Sequence, residues 1–224
     1  MAEKIFLLVC EGETDVYIFQ ALAAHLSNSE TQLTITSLAP QHDATSGTYG
    51  SHGYGDVLNW CLAYRDKVQM LIDFKGAESM LIQMDTDIAQ QANPDCTTQG
   101  HSARHCCQEK LSERLGTAQE PPRCHYILPT QNTETWLLAS HNFSALSENL
   151  NVISDFEQIT NTEQRLIALG YKSKKGVNKN APRRFNKRPA TQYKRHGKQL
   201  TSNLALARQR CAELEHLCFL FENT

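Results

Sequence analysis

No stretch of this 224-residue chain approaches the roughly 18 consecutive apolar residues of a membrane-spanning helix, so no transmembrane segment is expected. The first apolar run, residues 6–10, stops at Glu11 and is too short for the core of a secretory signal. A cytoplasmic protein is therefore expected, with its eight cysteines mostly reduced thiols rather than a disulfide framework. The glycines of residues 47–55 are not followed by Gly-Lys-Ser/Thr, which excludes a Walker phosphate loop. There is no internal repeat, which excludes a solenoid. Acidic residues are missing altogether from residues 171–198, a segment that holds eleven Lys or Arg. The whole chain has 22 basic and 24 acidic side chains, so the remainder carries 11 against 24, or −13. The net charge of −2 thus conceals one strongly cationic segment in an acidic protein.

Hydrophobic residues make up 40% of the chain, enough for a packed core. Residues 5–10 are continuously apolar, as in a strand covered on both faces of a parallel sheet. Glu11-Gly12 follows, then helical periodicity with Ile18, Leu22 and Leu26 on one stripe and Phe19 and Ala23 beside it. Residues 32–38 alternate and predict a second strand. Residues 39–55 read as a long surface loop, either a plain connection or a lid touching substrate. Asp56 is expected to cap a helix with Val57, Leu58, Cys61 and Leu62 on its apolar face. Residues 80–84 predict a third strand, Asn93-Pro94-Asp95 a break, and residues 101–115 a helix. A fourth strand spans residues 123–128, closed by Pro129, and a helix opens through Glu134 and Trp136. This βαβαβαβα order predicts a mostly parallel four-stranded sheet flanked by helices. Beyond Ser140 come an irregular stretch, a short helix over residues 162–169 closed by Gly170, and the basic segment. Leu200, Leu204, Ala207, Cys211, Leu214 and Cys218 then predict one long amphipathic helix.

Acids stand at the carboxyl ends of two predicted strands: Glu11, with Asp15 one helical turn on, and Asp85-Thr86-Asp87. Open α/β sheets bind ligands at that edge. Side chains two apart on a strand point the same way, so Asp85 and Asp87 can converge on one ion. Gathered carboxylates repel unless a cation lies between them, and hard divalent ions such as Mg²⁺ take oxygen ligands. The alternative is a strand-end turn beside an isolated acid. Glu134 could complete such a site or simply face the dipole of its own helix. Trp136 could be core or a stacking platform.

Glu11-Gly12-x-Thr14-Asp15 together with Asp85-x-Asp87 resembles the Toprim domain of topoisomerases, DnaG-type primases, small RNA-maturation nucleases and the overcoming-lysogenization-defect nucleases. The resemblance spans roughly residues 4–139. It implies a Toprim-like, Rossmannoid catalytic domain over residues 1–140, with residues 141–224 a basic helical C-terminal extension. It further implies that Glu11, Asp85 and Asp87 are catalytic around Mg²⁺ (or Mn²⁺), and that Asp15 is the extra ligand of the overcoming-lysogenization-defect branch. The pattern from Glu134 to Leu138 is similar to small RloB-like proteins of bacterial defence loci, which implies a nuclease effector in anti-phage defence. An ATP-gated version would require a separate ATPase partner.

Lys172, Lys174, Lys175, Lys179, Arg183, Arg184, Lys187, Arg188, Lys194 and Arg195 (with Lys198) could neutralise the phosphates of DNA or RNA. Tyr171, Phe185 and Tyr193 lie among them and could stack on unpaired bases. A solvated tail is the plainer reading. Cys96, His101, His105, Cys106, Cys107, Cys124 and His125 form a second candidate metal set. Their spacing matches no zinc finger or ribbon, and ordinary thiols are the alternative. The leading expectation is a Mg²⁺-dependent nuclease that grips nucleic acid through the basic segment, with water as nucleophile. The alternatives are a non-catalytic nucleic-acid- or partner-binding module with a regulatory or vestigial metal site, and a phosphatase or nucleotidyl transferase acting on a small substrate.

Overall fold

The protein is described by a computed structural model covering residues 1–45, 48–49, 53–142, 155–159, 161–175, 183–189 and 192–223. The chain begins β1 (Ala2–Val9), α1 (Glu13–Leu26), β2 (Thr31–Ala39), then a two-residue antiparallel pair, β3 (His42–Asp43) and β4 (Thr48–Tyr49). It continues α2 (Tyr54–Ala63), α3 (Val68–Phe74), β5 (Ser79–Gln83), α4 (Ala89–Ala92), α5 (Pro94–Thr98), α6 (Ala103–Leu115), β6 (Cys124–Ile127) and α7 (Glu134–Ala139). After these come α8 (Thr162–Ala168), a second small antiparallel pair β7 (Ser173–Lys174) and β8 (Arg184–Phe185), and three helices, α9 (Gln192–Ser202), α10 (Leu204–Arg210) and α11 (Ala212–Glu222).

One four-stranded sheet in the order β2-β1-β5-β6, parallel throughout, forms the centre. The apolar run of β1 divides between its two faces, as a period of two requires. Phe6, Leu8 and Cys10 join α1, α7 and the C-terminal helices in one cluster, while Leu7 and Val9 join α2, α3 and α6 in the other. Phe221 of α11 meets Phe6 edge to face at 4.8 Å. The C-terminal helices therefore complete the core over one face of the sheet. Because β2 and β5 lie on opposite sides of β1, the crossover direction reverses between β1 and β5. Ligand crevices of open α/β sheets form outside the strand ends at such a point.

Several local expectations are corrected. Asp56 is not the cap of α2. Gly53 is, and Asp56 sits in the first turn, where its charge complements the helix dipole. The expected surface loop contains the β3–β4 pair, and the break at residues 93–95 lies between α4 and α5, with Pro94 at the start of α5. The expected single C-terminal helix is broken at Asn203 and at Cys211, whose φ of −134° and ψ of 107° are extended. The apolar spacing continues across both breaks, so periodicity alone does not reveal them. Among the described residues no helix is long and apolar enough to cross a membrane.

Helix α9 lies close against α1, where Gly197 faces Ala21. A Cβ added at Gly197 would come to 2.6 Å from Ala21 Cβ. Ala in place of Gly gains about 0.5–1 kcal/mol inside a helix, but overpacking costs about 1–3 kcal/mol. Gly197→Ala is therefore expected to lower stability by roughly 1 kcal/mol in urea unfolding. Ala21→Gly should restore part of that loss by reopening the contact. A Gly197→Ala protein as stable as the wild type would show that the helices have room to part.

Candidate functional site

The ends of β1 and β5 are tied together by one fully buried side chain. Gln83 accepts the Glu11 backbone N–H at its Oε1 (3.2 Å) and donates from Nε2 to Asp85 Oδ1 (2.8 Å). Glu11 Oε1 in turn accepts the Asp85 N–H at 2.7 Å. Asp15, buried in the first turn of α1, accepts a hydrogen bond from Thr133 Oγ1 at 2.7 Å. Asp85 and Asp87 do not share a strand face. β5 ends at Gln83, and residues 86–88 form a 3₁₀ turn in which Asp87 is exposed. Its backbone N–H donates to Gln131 O at 3.1 Å, so the Asp-x-Asp turn is stitched to the loop after β6.

Glu134 opens α7 from beneath this edge and is fully buried. Its Oε1 accepts from Tyr193 OH at 2.6 Å and lies 2.8 Å from Lys187 Nζ, while its Oε2 has no hydrogen-bond partner among the described residues. Lys187, from the loop after β8, pairs with Glu134, and its charge is also felt by Glu11, Asp15, Asp85 and Asp87. Among the described residues, no three of these carboxylates place oxygens within 4.8 Å of one another.

The electrostatics follow from burial and from this single cation. Burial pushes the Glu11 carboxyl up to about 7, with Asp15 and Asp87 adding to the push and the Asp85 N–H opposing it. Burial likewise raises Asp15 to about 6 against the pull of Lys187. Asp85 stands well above the ordinary carboxylate range because it is buried and faces Asp15, Glu11 and Glu134. Asp87 is raised as well, by the partial loss of water around its carboxylate and by Glu134 and Glu163, against the pull of Lys187. Glu134 goes the other way: burial acts upward, but the charge and hydrogen bond of Lys187, with the Tyr193 hydroxyl, hold it below its usual value. Burial would lower Lys187, yet Glu134, Asp15 and Asp85 together raise it. Among the described residues one ammonium stands against five acids, which leaves a surplus of negative charge. Like charges so placed favour proton uptake or a further cation.

An all-oxygen donor set suits a hard divalent ion, and the partnerless buried Oε2 of Glu134 is free to serve as a ligand. The spread of the carboxylates is compatible with Mg²⁺, which keeps several waters and uses one or two carboxylates directly. Glu11, Asp15, Asp85 and Glu134 are the residues that could hold such an ion, with Asp87 at the rim.

Lys172, Lys174, Lys175, Arg183, Arg184, Arg188, Lys194 and Arg195 are exposed on β7, β8, α9 and the flanking residues; Lys179 lies outside the described residues. Lys187 departs from the expectation of a surface cation, since it is turned into the acidic edge. Phe185 and Tyr193 are not stacking platforms: both are buried in the core beneath α9 because the segment folds back on α1 and α7. Trp136 is core. Two of the eight cysteines depart from the reduced state expected, since Cys96 and Cys106 are disulfide-bonded. Gln83, Thr133 and Tyr193 join this site without belonging to either acidic motif. Gln83 carries the one signal available, a polar residue interrupting an apolar strand just before the acids.

The chain matches no family model, no curated protein and no solved structure.

Proposed function

We propose that the carboxyl edge between β1 and β5 is the centre of a divalent-cation-dependent, Toprim-like nuclease acting on DNA or RNA. The observation that supports this most is the gathering of Glu11, Asp15, Asp85, Asp87 and Glu134, from separate elements, with Lys187 the one cation among the described residues to face them. Bound Mg²⁺ or Mn²⁺ would polarise a phosphoryl oxygen and lower the pKa of an attacking water. Gln83 and the Asp85 N–H keep the Glu11 and Asp85 carboxylates in fixed rotamers, and Thr133 does the same for Asp15. Lys187 stands where its ammonium could meet the charge that develops on a phosphoryl oxygen. The exposed cations of β7, β8 and α9 follow from the same segment, so a polyanion drawn to them reaches the acidic edge. A defence role and an ATPase partner rest on the Toprim resemblance.

Incubation with plasmid, single-stranded DNA and RNA in Mg²⁺ or Mn²⁺ tests this reading. Cleavage is expected to require the cation, to weaken as salt rises, and to vanish in Asp85→Asn. Undiminished cleavage in that variant would overturn it. The gap between the carboxylates favours a second reading, a binding module in which Lys187 is the permanent counterion. That reading predicts salt-sensitive nucleic-acid binding without turnover, and no rise in melting temperature on adding Mg²⁺.

A further inference from the structure

Away from the acidic edge, one other group gathers metal-ligating atoms. Cys96 Sγ, a ring nitrogen of His105 and a carboxylate oxygen of Glu109 lie within 4.8 Å of one another, the only such group among the described residues. Cys96 comes from α5, and His105 and Glu109 stand one turn apart on α6 with His105 Nε2 3.6 Å from Glu109 Oε1. Cys96 is bonded to Cys106, the residue beside His105, across a Cα–Cα distance of 5.6 Å. The sulfur is buried, whereas His105 and Glu109 are exposed on the wall of an open cleft of about 640 Å³, which gives an ion its approach. Cys124 and Cys107, both buried, are not in the group, whereas Glu109, outside the Cys/His set of the sequence, is.

A sulfur in a disulfide is spent as a ligand, since it is the thiolate that binds metal. Reduction would free a second sulfur, that of Cys106, which is bonded to Cys96 Sγ and lies just outside the 4.8 Å group, so it must turn toward His105 and Glu109 to join them. We propose that, with the Cys96–Cys106 bond reduced, the two thiolates, His105 and Glu109 bind one zinc ion, and that the disulfide is the metal-free state of the same site. Two sulfurs, one imidazole and one carboxylate make a four-coordinate set suited to zinc, with bonds of about 2.3 Å to sulfur and about 2.0–2.2 Å to nitrogen and oxygen. His105 and Glu109 are exposed, so both can adjust by side-chain rotation, and the Cys106 sulfur swings once the disulfide is open. In the conversion a small dithiol gives two electrons and two protons to the disulfide and closes into a disulfide itself. Zinc then displaces the two thiol protons. In both states α5 is pinned to α6, covalently in one and through the ion in the other. This site is independent of the function proposed for the sheet edge.

Titration of the full-length protein with Co²⁺ tests the proposal, after phosphine reduction and removal of metal. The reduced protein is expected to show sulfur-to-cobalt charge-transfer absorption saturating at one ion per chain and abolished by Zn²⁺. The carboxylates of the sheet edge cannot produce that signal. His105→Ala and Glu109→Gln, both at exposed positions, should each weaken the cobalt affinity by at least about tenfold, and the oxidised protein should show no such absorption. Absence of the band in reduced wild type, its presence in oxidised protein, or an unchanged affinity in both variants would each overturn the assignment.

Discussion

Lys187→Met is expected to destabilise the metal-free protein by about 2–3 kcal/mol at pH 7.5. Removing one partner of a buried ion pair costs about 3–5 kcal/mol, and the half-exposed ammonium discounts that figure. The cost arises because Glu134 stays behind, fully buried, with only the Tyr193 hydroxyl on one oxygen and no hydrogen-bond partner among the described residues on the other. The pH dependence is specific. In the wild type, Glu134 is held below its ordinary pKa, so its contribution to stability is present above the unfolded value and lost as pH falls through the folded one. Lys187 is raised, so its contribution is present below its unfolded pKa and lost only as pH rises through the folded one. Without the lysine, Glu134 becomes a carboxylate raised by burial. The deficit of the variant should therefore shrink as the pH is lowered toward 4, where Glu134 takes up a proton. Denaturant unfolding at pH 7.5 and pH 4.5 checks both parts. If the two proteins are equally stable at pH 7.5, Lys187 is a surface cation after all. If the deficit does not depend on pH, it is not Glu134 that the lysine neutralises.

Glu11→Gln is expected to act in opposite directions on stability and on activity. A glutamine Oε1 can still accept the Asp85 N–H, so the backbone tie survives while a charge leaves the cluster. Glu11 has a folded pKa of about 7 against an ordinary 4.5, so the native state binds more protons than the unfolded chain between those values. Stability from this group is then greatest at low pH and falls as pH rises through that window. The variant should exceed the wild type by about 1–3 kcal/mol at pH 8 in a chelator, a gain of several degrees in melting temperature, and by almost nothing at pH 4.5. Burial lowers His125, His141 and His196, which works in the opposite direction over part of this range, but those residues are common to both proteins and cancel in the difference. Mg²⁺ should close the gap by stabilising the wild type more. Cleavage by the variant, on the proposed function, should fall by at least about 10²-fold. A variant less stable than the wild type at pH 8 would show that Glu11 is favourably compensated in the folded protein. A variant that still cuts would remove Glu11 from the chemistry.

The part of the molecule that could be read from the chain alone is local. The apolar runs of β1 and β5, alternation in β2 and helical stripes in α1 and α2 each depend on neighbours a few positions away. Together they determined a parallel α/β sheet, four strands in number, with Glu11 and Asp85 at its carboxyl edge. The composition of residues 171–198 likewise marked that segment as cationic without any reference to structure. What only the tertiary structure decided is which charges meet. Lys187 is indistinguishable in sequence from the cations around it, and it becomes the counterion of Glu134 because β8 packs on α8 and α9 folds back over α1 and α7. The same folding takes Phe185 and Tyr193 out of solvent, and two backbone breaks with no apolar signature redirect the C-terminal helices. Cys96 and Cys106 are ten positions apart with nothing in their spacing to pair them, and it is the approach of α5 to α6 that brings their sulfurs and His105 together. Hydrophobic periodicity is a short-range property and survives in the string of residues. Electrostatic and ligand partnerships depend on distance in space, and that distance exists only once the chain has folded.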